Sequence, residues 1–331
     1  MPDGLRFNDE PTGRQWLESI RLDDWGVATF EHDGNTIVVE AFDKPYVAQQ
    51  IYNENGLEIL LPYGLKIAID ADSFCVDAWD RFHGLTKSKV PFVLSHKAQA
   101  ELFNMAEEFS DDSITINGKV ISTPDFYLTH QEADSESFWT SKYKENPAPP
   151  WDLDEVHPSF KSSIAQIKPI NGRMAVLGCG NGHDAGYFAE LGHKVEAYDI
   201  SPLAIENAKK KYSKSNLSFQ CQDIFSLLPD SKNTFDYIIE HTMYCALPPD
   251  KRKELIKLWW NLLDESGHLM GVFFVDPKRG GPPYGTSEWE LKTLLEPYFD
   301  FRYWTRLKDS PGWRNGIELF VYAQKREEVK K

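Results

Sequence analysis

One stretch of sequence decides the fold of this chain: Met174-Ala-Val-Leu-Gly-Cys-Gly-Asn-Gly-His-Asp184. A short apolar run, typical of a buried strand, enters a turn with glycine at positions 178, 180 and 182, and a helix-like segment follows. Glycine has no Cβ, so it lets the backbone bend sharply and approach a ligand closely. Taken alone, this turn is equally compatible with a strand-to-helix connection that binds nothing.

A second apolar run, Lys194-Val-Glu-Ala-Tyr-Asp199, ends on an acid. An acid at the tip of the next strand can accept hydrogen bonds from both hydroxyls of a ribose, so the spacing indicates a nucleoside-bearing cofactor. The turn reads G-x-G-x-G rather than the dinucleotide pattern G-x-G-x-x-G. The helix after it opens with Asp184, whose charge disfavours a pyrophosphate at the helix N-terminus. A cofactor with nearby positive charge, such as S-adenosylmethionine, fits better.

The composition excludes several kinds of partner. The chain has 331 residues and a net charge of -15, which argues against binding to a nucleic-acid backbone or to an anionic membrane. No run approaches about 18 consecutive apolar residues, and the N-terminus lacks the apolar core of a signal peptide. The four cysteines are widely spaced without a C-x-x-C pair. They predict neither a disulfide framework nor a zinc site, and they favour a reducing, cytoplasmic setting.

The first part of the chain predicts a separate domain. The polar, acidic stretch 129–137 has no apolar period and predicts a linker near residue 135. Residues 1–135 mix strand and helix signals, which predicts a small accessory α+β domain of unknown role. The predicted elements are strands at 36–42, 57–61 and 65–70, a helix at 95–109 capped by Ser95, and a hairpin turn at Asn117-Gly118.

Three acids of this first domain could be considered as metal ligands, namely Asp70, Asp72 and Asp77. Their spacing is not that of an EF-hand loop, and scattered acids in turns are usually solvated. We therefore predict no metal site.

The second domain, residues 136–331, alternates strand and helix patterns between about 170 and 325. Alternation of this kind predicts βαβ units and a mostly parallel sheet. Strand-like runs lie at 174–178, 194–199, 217–221, 235–240, 268–275, 300–306 and 317–323, and helix-like runs at 184–191, 203–212, 250–264 and 287–296.

Four segments together resemble the thiopurine/thiol S-methyltransferase family of S-adenosylmethionine-dependent enzymes. They are Phe138-Trp-Thr-Ser-Lys-Tyr-Lys-Glu-Asn-Pro-Ala-Pro-Pro-Trp-Asp152, the glycine turn with Asp199, Phe235-Asp-Tyr-Ile-Ile-Glu-His-Thr-Met-Tyr-Cys-Ala-Leu-Pro-Pro249, and Gly280-Gly-Pro-Pro-Tyr284. The resemblance covers roughly residues 136–325, and residues 1–135 resemble no family that we recognise. It implies an α/β, Rossmann-like class I methyltransferase fold with a seven-stranded, mostly parallel sheet and an antiparallel final hairpin.

The resemblance also implies how S-adenosylmethionine binds. Gly178, Gly180 and Gly182 would wrap the methionine portion of the cofactor, and Asp199 would hold the ribose hydroxyls. Asp184 belongs to the same segment but has no cofactor role in this interpretation.

Further along the chain, the resemblance implies that Asp223 and Ile224 bind the adenine and that Glu240 faces the methionine end. Trp139 and Trp151 would close over the cofactor and place a π face near the sulfonium. Each role has a structural alternative, since Asp223 could merely cap a turn and the two tryptophans could anchor the core.

The sequence departs from the family pattern at the end of the fourth strand. The family often has Asp-Arg there, with the arginine near the acceptor, whereas this chain has Glu240-His241. The loss of a permanent cation puts an anionic or thiopurine-like acceptor in doubt. His241 could receive a proton or be a structural histidine, and Tyr244 could assist deprotonation. Arg314 is a second candidate for acceptor binding. The alternative is that Arg314 is an exposed surface residue without a role in the site.

These features predict an S-adenosylmethionine-dependent enzyme that methylates a small-molecule acceptor. The preferred acceptor is a thiol, another sulfur or selenium nucleophile, or halide. Nitrogen or oxygen methylation and a non-catalytic cofactor-binding regulatory or scaffold protein are the alternatives. In-line displacement by a soft nucleophile mainly requires alignment and needs no enzyme nucleophile, so we interpret Cys179 as a packing residue. The N-terminal domain could cover the acceptor, mediate self-association or bind a partner.

Overall fold

The structure is a computed structural model that describes residues 10–23, 26–54, 56–128, 131–276, 278–308 and 310–330. The chain forms two compact units, residues 1–128 and 129–331, so the boundary precedes the predicted one near residue 135. Thr129 and His130 of the predicted linker lie outside the described residues. The rest of that stretch is not a linker, because 131–134 forms a 3-10 helix and a longer helix begins at Glu136. No helix in the described part of the chain is both long and apolar enough to cross a membrane.

The first unit is rich in short strands. Its helices are α1 (Glu10–Ser19) and α2 (His96–Met105), and its strands are β1 (Arg21–Leu22), β2 (Ala28–His32), β3 (Asn35–Val38), β4 (Tyr46–Ala48), β5 (Gln50–Asn53), β6 (Leu57–Leu60), β7 (Lys66–Val76), β8 (Phe82–Thr86), β9 (Pro91–Leu94), β10 (Glu108–Phe109), β11 (Ser113–Ile116) and β12 (Lys119–Ser122). Six strands form one sheet in the order β4-β9-β8-β7-β6-β5, and two three-stranded sheets accompany it.

Several elements predicted for the first unit are present with different limits. The hydroxyl of Ser95 accepts a hydrogen bond from the backbone N–H of Ala98, as expected of a helix cap. The helix ends at Met105 instead of 109, because the backbone of Ala106 is extended and Phe109 pairs with Ile114 in a β-ladder. The predicted hairpin is present as β11–β12. Strand β3 ends at Val38 and not at 42, and β7 continues to Val76.

The three acids of the first unit are paired with basic side chains. Asp70 binds Lys89 at 2.8 Å, and Asp72 binds Lys119 at 2.9 Å. Asp77 is bonded to the side chains of both Arg81 and His83. Each carboxylate therefore has a charge partner of its own.

The second unit alternates helices and strands. Its helices are α3 (Glu136–Glu145), α4 (Pro158–Ile167), α5 (His183–Glu190), α6 (Pro202–Lys211), α7 (Arg252–Leu262) and α8 (Glu288–Leu295), and its strands are β13 (Arg173–Leu177), β14 (Lys194–Asp199), β15 (Leu217–Cys221), β16 (Phe235–His241), β17 (Leu263–Phe274), β18 (Phe299–Arg306) and β19 (Glu318–Lys325). The predicted alternation is confirmed. Helices α3 and α4, which precede the first strand, were not predicted.

One sheet organises this unit, with strand order β15-β14-β13-β16-β17-β19-β18. Neighbouring strands are parallel from β15 to β17, whereas β19 runs antiparallel to β17 and β18. The Rossmann-like, mostly parallel architecture is thus confirmed. Because the strands are parallel, the carboxyl ends of β13, β14, β15 and β16 meet at one edge of the sheet, which is where ligands bind in such folds.

Helices cover both faces of this sheet. Successive side chains of a strand point to opposite faces, and β13 illustrates this. Ala175 and Leu177 pack in one core with Trp259 of α7, whereas Met174 and Val176 pack in the other core with Phe188 of α5. Two separate apolar layers therefore hold the loops at the strand ends in place.

Candidate active site

A cavity of about 1010 Å³ opens at the carboxyl edge of the sheet. A cavity of this size can hold a nucleoside cofactor together with a small acceptor. Seven of the predicted site residues line it, namely Trp139, Trp151, Gly178, Asp199, Asp223, Ile224 and Arg314. We call it the main cavity.

The glycine turn has the backbone conformation that its composition predicts, since Gly178, Gly180 and Gly182 all have positive φ angles. Their surroundings differ. Gly178 lines the main cavity, and a Cβ there would lie 2.9 Å from Cγ of Met243. A Cβ on Gly180 would meet the hydroxyl of Tyr143, and one on Gly182 would meet the ring of Phe219. Only Gly178 therefore contributes directly to the wall of the main cavity.

Asp199, at the end of β14, is fixed by backbone hydrogen bonds. The N–H of Gly180 donates to Oδ2 at 2.8 Å, and the N–H of Ser201 donates to Oδ1 at 2.8 Å. Burial raises the pKa of Asp199, and these two hydrogen bonds oppose the rise. Each oxygen keeps a lone pair, so the carboxylate can accept hydroxyl donors from the cavity side.

Asp223 and Ile224 follow β15. Oδ1 of Asp223 accepts the N–H of Phe225 at 3.0 Å, so this acid caps the short 3-10 helix 224–227. The capping role named as the alternative is therefore present, yet Asp223 also lines the main cavity beside the buried Ile224. The second carboxylate oxygen remains available for an amine donor.

An aromatic wall closes one side of the main cavity. The rings of Trp139 and Trp151 meet edge to face with centroids 5.7 Å apart, and Tyr143 contacts Trp151 in the same way at 6.1 Å. The indole N–H of Trp139 donates to the carbonyl of Ala133, which fixes that ring. Electron-rich faces of this kind favour a nearby cation.

His241 does not line the main cavity. Its side chain borders a second cavity of about 60 Å³, which Asp152, His183 and Asp184 also line. Nδ1 of His241 lies 2.8 Å from Oδ2 of Asp184. The backbone N–H of His157 donates to Oδ1 of the same acid. Asp184, which the sequence analysis used only to disfavour a pyrophosphate, is thus the partner of a histidine.

His241 and Asp184 each favour the charged form of the other. Burial alone would lower the pKa of His241, but the charge of Asp184 and the hydrogen bond to it raise that pKa above its usual value. Burial alone would raise the pKa of Asp184, and His241 holds it below its usual value.

Arg314 is buried with only 3% of its surface exposed, so it is not a surface arginine. It lines the main cavity together with Glu318. Nη2 donates to the carbonyl of Trp151 at 2.6 Å, and Nη1 lies 3.4 Å from Oε1 of Glu318. Nη1 also lies 3.4 Å from Nε2 of His241.

His157, His241 and Glu318 offer a geometry in which a metal ion could be considered, since one ligand atom from each lies within 4.8 Å of the others. These atoms already have other roles. Nε2 of His157 lies 2.9 Å from Oε2 of Glu318, and the N–H of Ser159 donates to Nδ1 of His157, which leaves the proton on Nε2. The guanidinium of Arg314 also occupies this space. We therefore describe these residues as a hydrogen-bonded cluster.

Besides Gly180, Gly182 and His241, two more predicted residues, Tyr244 and Glu240, do not line the main cavity. Tyr244 is 1% exposed and packs on the guanidinium of Arg252 at 4.5 Å and on Phe273. Glu240 is equally buried, and its Oε1 accepts the N–H of Tyr244 at 2.8 Å. Its Oε2 has no hydrogen-bond partner among the described residues, and burial raises the pKa of Glu240 to about 8. Neither residue lines the main cavity.

Several residues of this site are not among the site residues predicted from the sequence. His157 could not be predicted as a site residue, because a single histidine before a helix is not part of any spaced motif. Glu318 belongs to the segment that suggested Arg314, and only the fold brings it to the cavity. Cys245 lines the main cavity, and burial raises the pKa of its thiol to about 12, so it stays protonated.

The Rossmann-like sheet and the nucleoside-sized cavity with a fixed acid at the end of its second strand define a class of protein, the S-adenosylmethionine-dependent methyltransferases. Residues 134–317 match the model of the thiopurine S-methyltransferase family, and the chain belongs to that family. The predicted enzyme class and cofactor, S-adenosylmethionine, are confirmed.

Three relatives illustrate the range of the similarity. The chain is 33% identical over 181 residues to probable thiol methyltransferase 2 of Arabidopsis thaliana, covering 53% of this chain and 79% of that protein. It is 30% identical to thiocyanate methyltransferase 1 of the same plant, covering 58% of this chain and 86% of that protein. It is 32% identical to 2-heptyl-1-hydroxyquinolin-4(1H)-one methyltransferase of Mycobacteroides abscessus, covering 50% of this chain and 72% of that protein.

The residues present fit the cofactor. Asp199 lines a cavity with room for a nucleoside, and Gly178 keeps side-chain atoms away from the adjoining wall. The aromatic rings and the acids Asp199 and Asp223 suit a cationic ligand.

Proposed function

We propose that the protein transfers the methyl group of S-adenosylmethionine to the sulfur atom of a small molecule, with selenium compounds and halides as related soft acceptors. The observation that carries this proposal is the composition of the wall of the main cavity. Besides Asp199, the wall includes Cys245, Val272, Phe274 and the buried charged residues Arg314 and Glu318. A largely apolar wall with a buried cation suits a small, polarisable nucleophile that reacts as an anion.

For the cofactor, we propose that Asp199 binds the ribose hydroxyls and that Asp223 and Ile224 bind the adenine. Gly178, with its positive φ and no side chain, would allow the methionine portion to pass close to the backbone. Trp139 and Trp151 would cover the bound cofactor. Support for these roles comes from their common position on the wall of one cavity.

For the acceptor, we propose that Arg314 replaces the arginine that this chain lacks at position 241. An anionic acceptor is in doubt from the sequence alone, because His241 stands where the family often has that arginine. Arg314, in the segment before β19, supplies a cation on the wall of the main cavity, so an anionic acceptor is again compatible with the site. Glu318 beside it balances part of the charge, so a small monoanion or a neutral thiol is a better fit than a highly charged acceptor.

The chain's own residues would contribute alignment and electrostatics. When bound, S-adenosylmethionine supplies an electrophilic methyl carbon next to a sulfonium. Arg314 favours the ionised form of a thiol, which is the reactive nucleophile. Cys179 and Cys245 stay protonated, because burial raises the pKa of both thiols. Direct displacement by the acceptor needs no nucleophile from the enzyme. Alignment of the acceptor with the methyl carbon can lower the activation barrier by several kcal/mol.

A second acceptor class has a specific observation in its favour. One relative is named as a methyltransferase of a hydroxyquinolinone, so oxygen or nitrogen of a small heteroaromatic ring is the alternative acceptor. The names of two other relatives, a thiol and a thiocyanate methyltransferase, favour sulfur.

Methyl transfer to a panel of matched thiols, alcohols and amines tests the proposal. Each acceptor is incubated with isotopically labelled S-adenosylmethionine, and the methylated atom is identified by mass spectrometry. We expect thioethers to form with a kcat/KM at least about tenfold above that of the matched alcohols. Products methylated only on oxygen or nitrogen would contradict the sulfur assignment.

We further propose that residues 1–128 act in self-association or partner binding, since all residues that line the main cavity belong to 129–331. A cytoplasmic setting suits the four cysteines, none of which forms a disulfide with another.

A further inference from the structure

His241 joins two groups that differ in charge. On one side, Nδ1 faces the carboxylate of Asp184 at 2.8 Å. A carboxylate only accepts hydrogen bonds, so Nδ1 carries a proton. On the other side, Nε2 faces Nη1 of Arg314 at 3.4 Å. A guanidinium only donates, so Nε2 of a neutral His241 offers the matching lone pair.

Arg314 has further anchors among the described residues of this region. Nη2 donates to the carbonyl of Trp151, and Nη1 also faces the carboxylate of Glu318. A carbonyl, a carboxylate and an imidazole therefore hold the guanidinium plane. Of these three anchors, only the imidazole changes its hydrogen-bonding character near neutral pH.

We propose that His241 is a positioning residue for Arg314: Asp184 keeps it in the tautomer that carries hydrogen on Nδ1, its Nε2 lone pair fixes the guanidinium on the wall of the main cavity, and a proton on Nε2 releases the guanidinium. This inference rests on the proposed function, because it takes Arg314 to face the acceptor. His241 itself need not touch the acceptor, which agrees with its place on the second cavity.

Several charged groups act on His241 from the elements around it. They are Asp184 of α5, His157 before α4, Glu318 of β19, Arg314 of the 3-10 helix Gly312–Arg314, and Glu240 of its own strand. With His241 neutral, Asp184, Glu318 and Arg314 leave one uncompensated negative charge. A proton on His241 neutralises that charge but places two cations side by side.

Protonation of His241 is therefore accessible. The charge of Asp184 outweighs burial and raises the pKa of His241 above its usual value. The second cavity beside it, of about 60 Å³ and lined by polar side chains, is large enough for a few water molecules that could bring a proton. We thus expect the transition in acceptor binding to lie above the ordinary pKa of a histidine.

Kinetics of two variants test this role. His241→Gln keeps an oxygen that can accept from Arg314 but cannot titrate, whereas His241→Leu removes the acceptor. An acidic thiol such as a nitrothiophenol is used, because it stays ionised between about pH 6 and pH 9 and contributes no transition of its own. His268→Gln is the matched control, since His268 stacks on Tyr322 and lines neither cavity.

We expect the unaltered chain and His268→Gln to lose kcat/KM for the thiol as the pH falls through the transition of His241. His241→Gln should stay within about threefold of the unaltered chain at high pH and show no such loss. His241→Leu should have, at every pH, a KM for the thiol about 10–100-fold above that of the unaltered chain at high pH, with the affinity for S-adenosylhomocysteine unchanged. An acid limb that persists in His241→Gln, or equal losses of thiol and cofactor binding in His241→Leu, would overturn the proposal.

Nitrogen NMR of the imidazole gives a readout that does not depend on turnover. We expect neutral His241 with hydrogen on Nδ1, and side-chain signals of Arg314 that shift together with the titration of His241. A neutral tautomer with hydrogen on Nε2, or Arg314 signals indifferent to that titration, refutes the positioning role even if His241→Leu fails to fold. If the unaltered chain methylates no thiol while the NMR result holds, the proposed function fails and the His241–Arg314 relationship stands.

Discussion

The carboxylate of Asp199 and the backbone of Gly180 are joined by a hydrogen bond of 2.8 Å, in which the glycine N–H donates to Oδ2. The bond links the ends of the first two strands of the parallel sheet. It holds the glycine turn open and orients the acid toward the main cavity at the same time. The two features that indicated a nucleoside site in the sequence are therefore one physical unit.

Replacing Asp199 by Asn should weaken cofactor binding. An amide offers one acceptor oxygen in place of two, and its NH₂ group would face the N–H of either Gly180 or Ser201. We expect a loss of about 10–100-fold in affinity for S-adenosylhomocysteine, since hydrogen bonds to a charged group contribute about 1.5–3 kcal/mol. Titration calorimetry measures this loss, and the exposed Asp230→Asn is the control. An affinity within about twofold of the unaltered chain would show that Asp199 does not hold the ribose.

Replacing Gly178 by Ala should also impair the cofactor site. The φ of +67° disfavours any side chain, and the new Cβ would lie 2.9 Å from Cγ of Met243, close to the root of that side chain. Gly192→Ala is a matched control in the same unit, because its φ is also positive but its Cβ would meet only the side chain of Asn171, at 3.3 Å or more. We expect at least about a tenfold loss of S-adenosylhomocysteine affinity for Gly178→Ala alone. Equal losses in both variants would assign the effect to backbone strain instead of to the cavity wall.

Replacing Glu240 by Gln should stabilise the fold at neutral pH. The folded pKa of about 8 exceeds the ordinary value near 4.5, so the fold favours the protonated acid. Its contribution is fully favourable below about pH 4.5 and is lost as the pH rises toward 8. The variant escapes this loss and should be more stable by about 2–3 kcal/mol at pH 7. Urea unfolding at about pH 5 and pH 8 measures the difference, which should grow with pH and should be absent in the exposed Glu190→Gln control.

Removing residues 1–128 should leave cofactor affinity within about threefold of the full chain, because the main cavity is lined by residues of 129–331 alone. Calorimetry with S-adenosylhomocysteine measures the affinity, and gel filtration of both forms shows whether the first unit mediates self-association. Thiol turnover is measured separately. A fall in turnover at unchanged cofactor affinity would indicate that the first unit covers the acceptor.

The parts of this account that are visible in the sequence are local. The strand, glycine turn and terminal acid depend on residues within about 25 positions of one another, and each element has its own periodicity. Helices α3 and α4 escaped prediction because aromatic and polar residues interrupt their apolar period. The three glycines look alike in the sequence, yet only Gly178 lines the main cavity, since the packing of Phe219 and Tyr143 is a tertiary property.

The acceptor side could not be predicted for the same reason. His241 and Arg314 are 73 residues apart, and their contact exists only because β16 and the segment before β19 end at the same edge of the sheet. Tyr244 shows the converse error. It is three residues from His241, but the turn that follows the strand directs its ring into the core against Arg252.

A crystal structure of the chain with S-adenosylhomocysteine tests the central claim most directly, namely that the main cavity holds the cofactor and leaves an acceptor space bounded by Arg314. We predict that the ribose hydroxyls bind the carboxylate of Asp199, that the adenine lies beside Asp223 and Ile224, and that the sulfur faces the space between Cys245 and Arg314. A nucleoside bound away from Asp199, or a sulfur atom that faces away from Arg314, would contradict the claim.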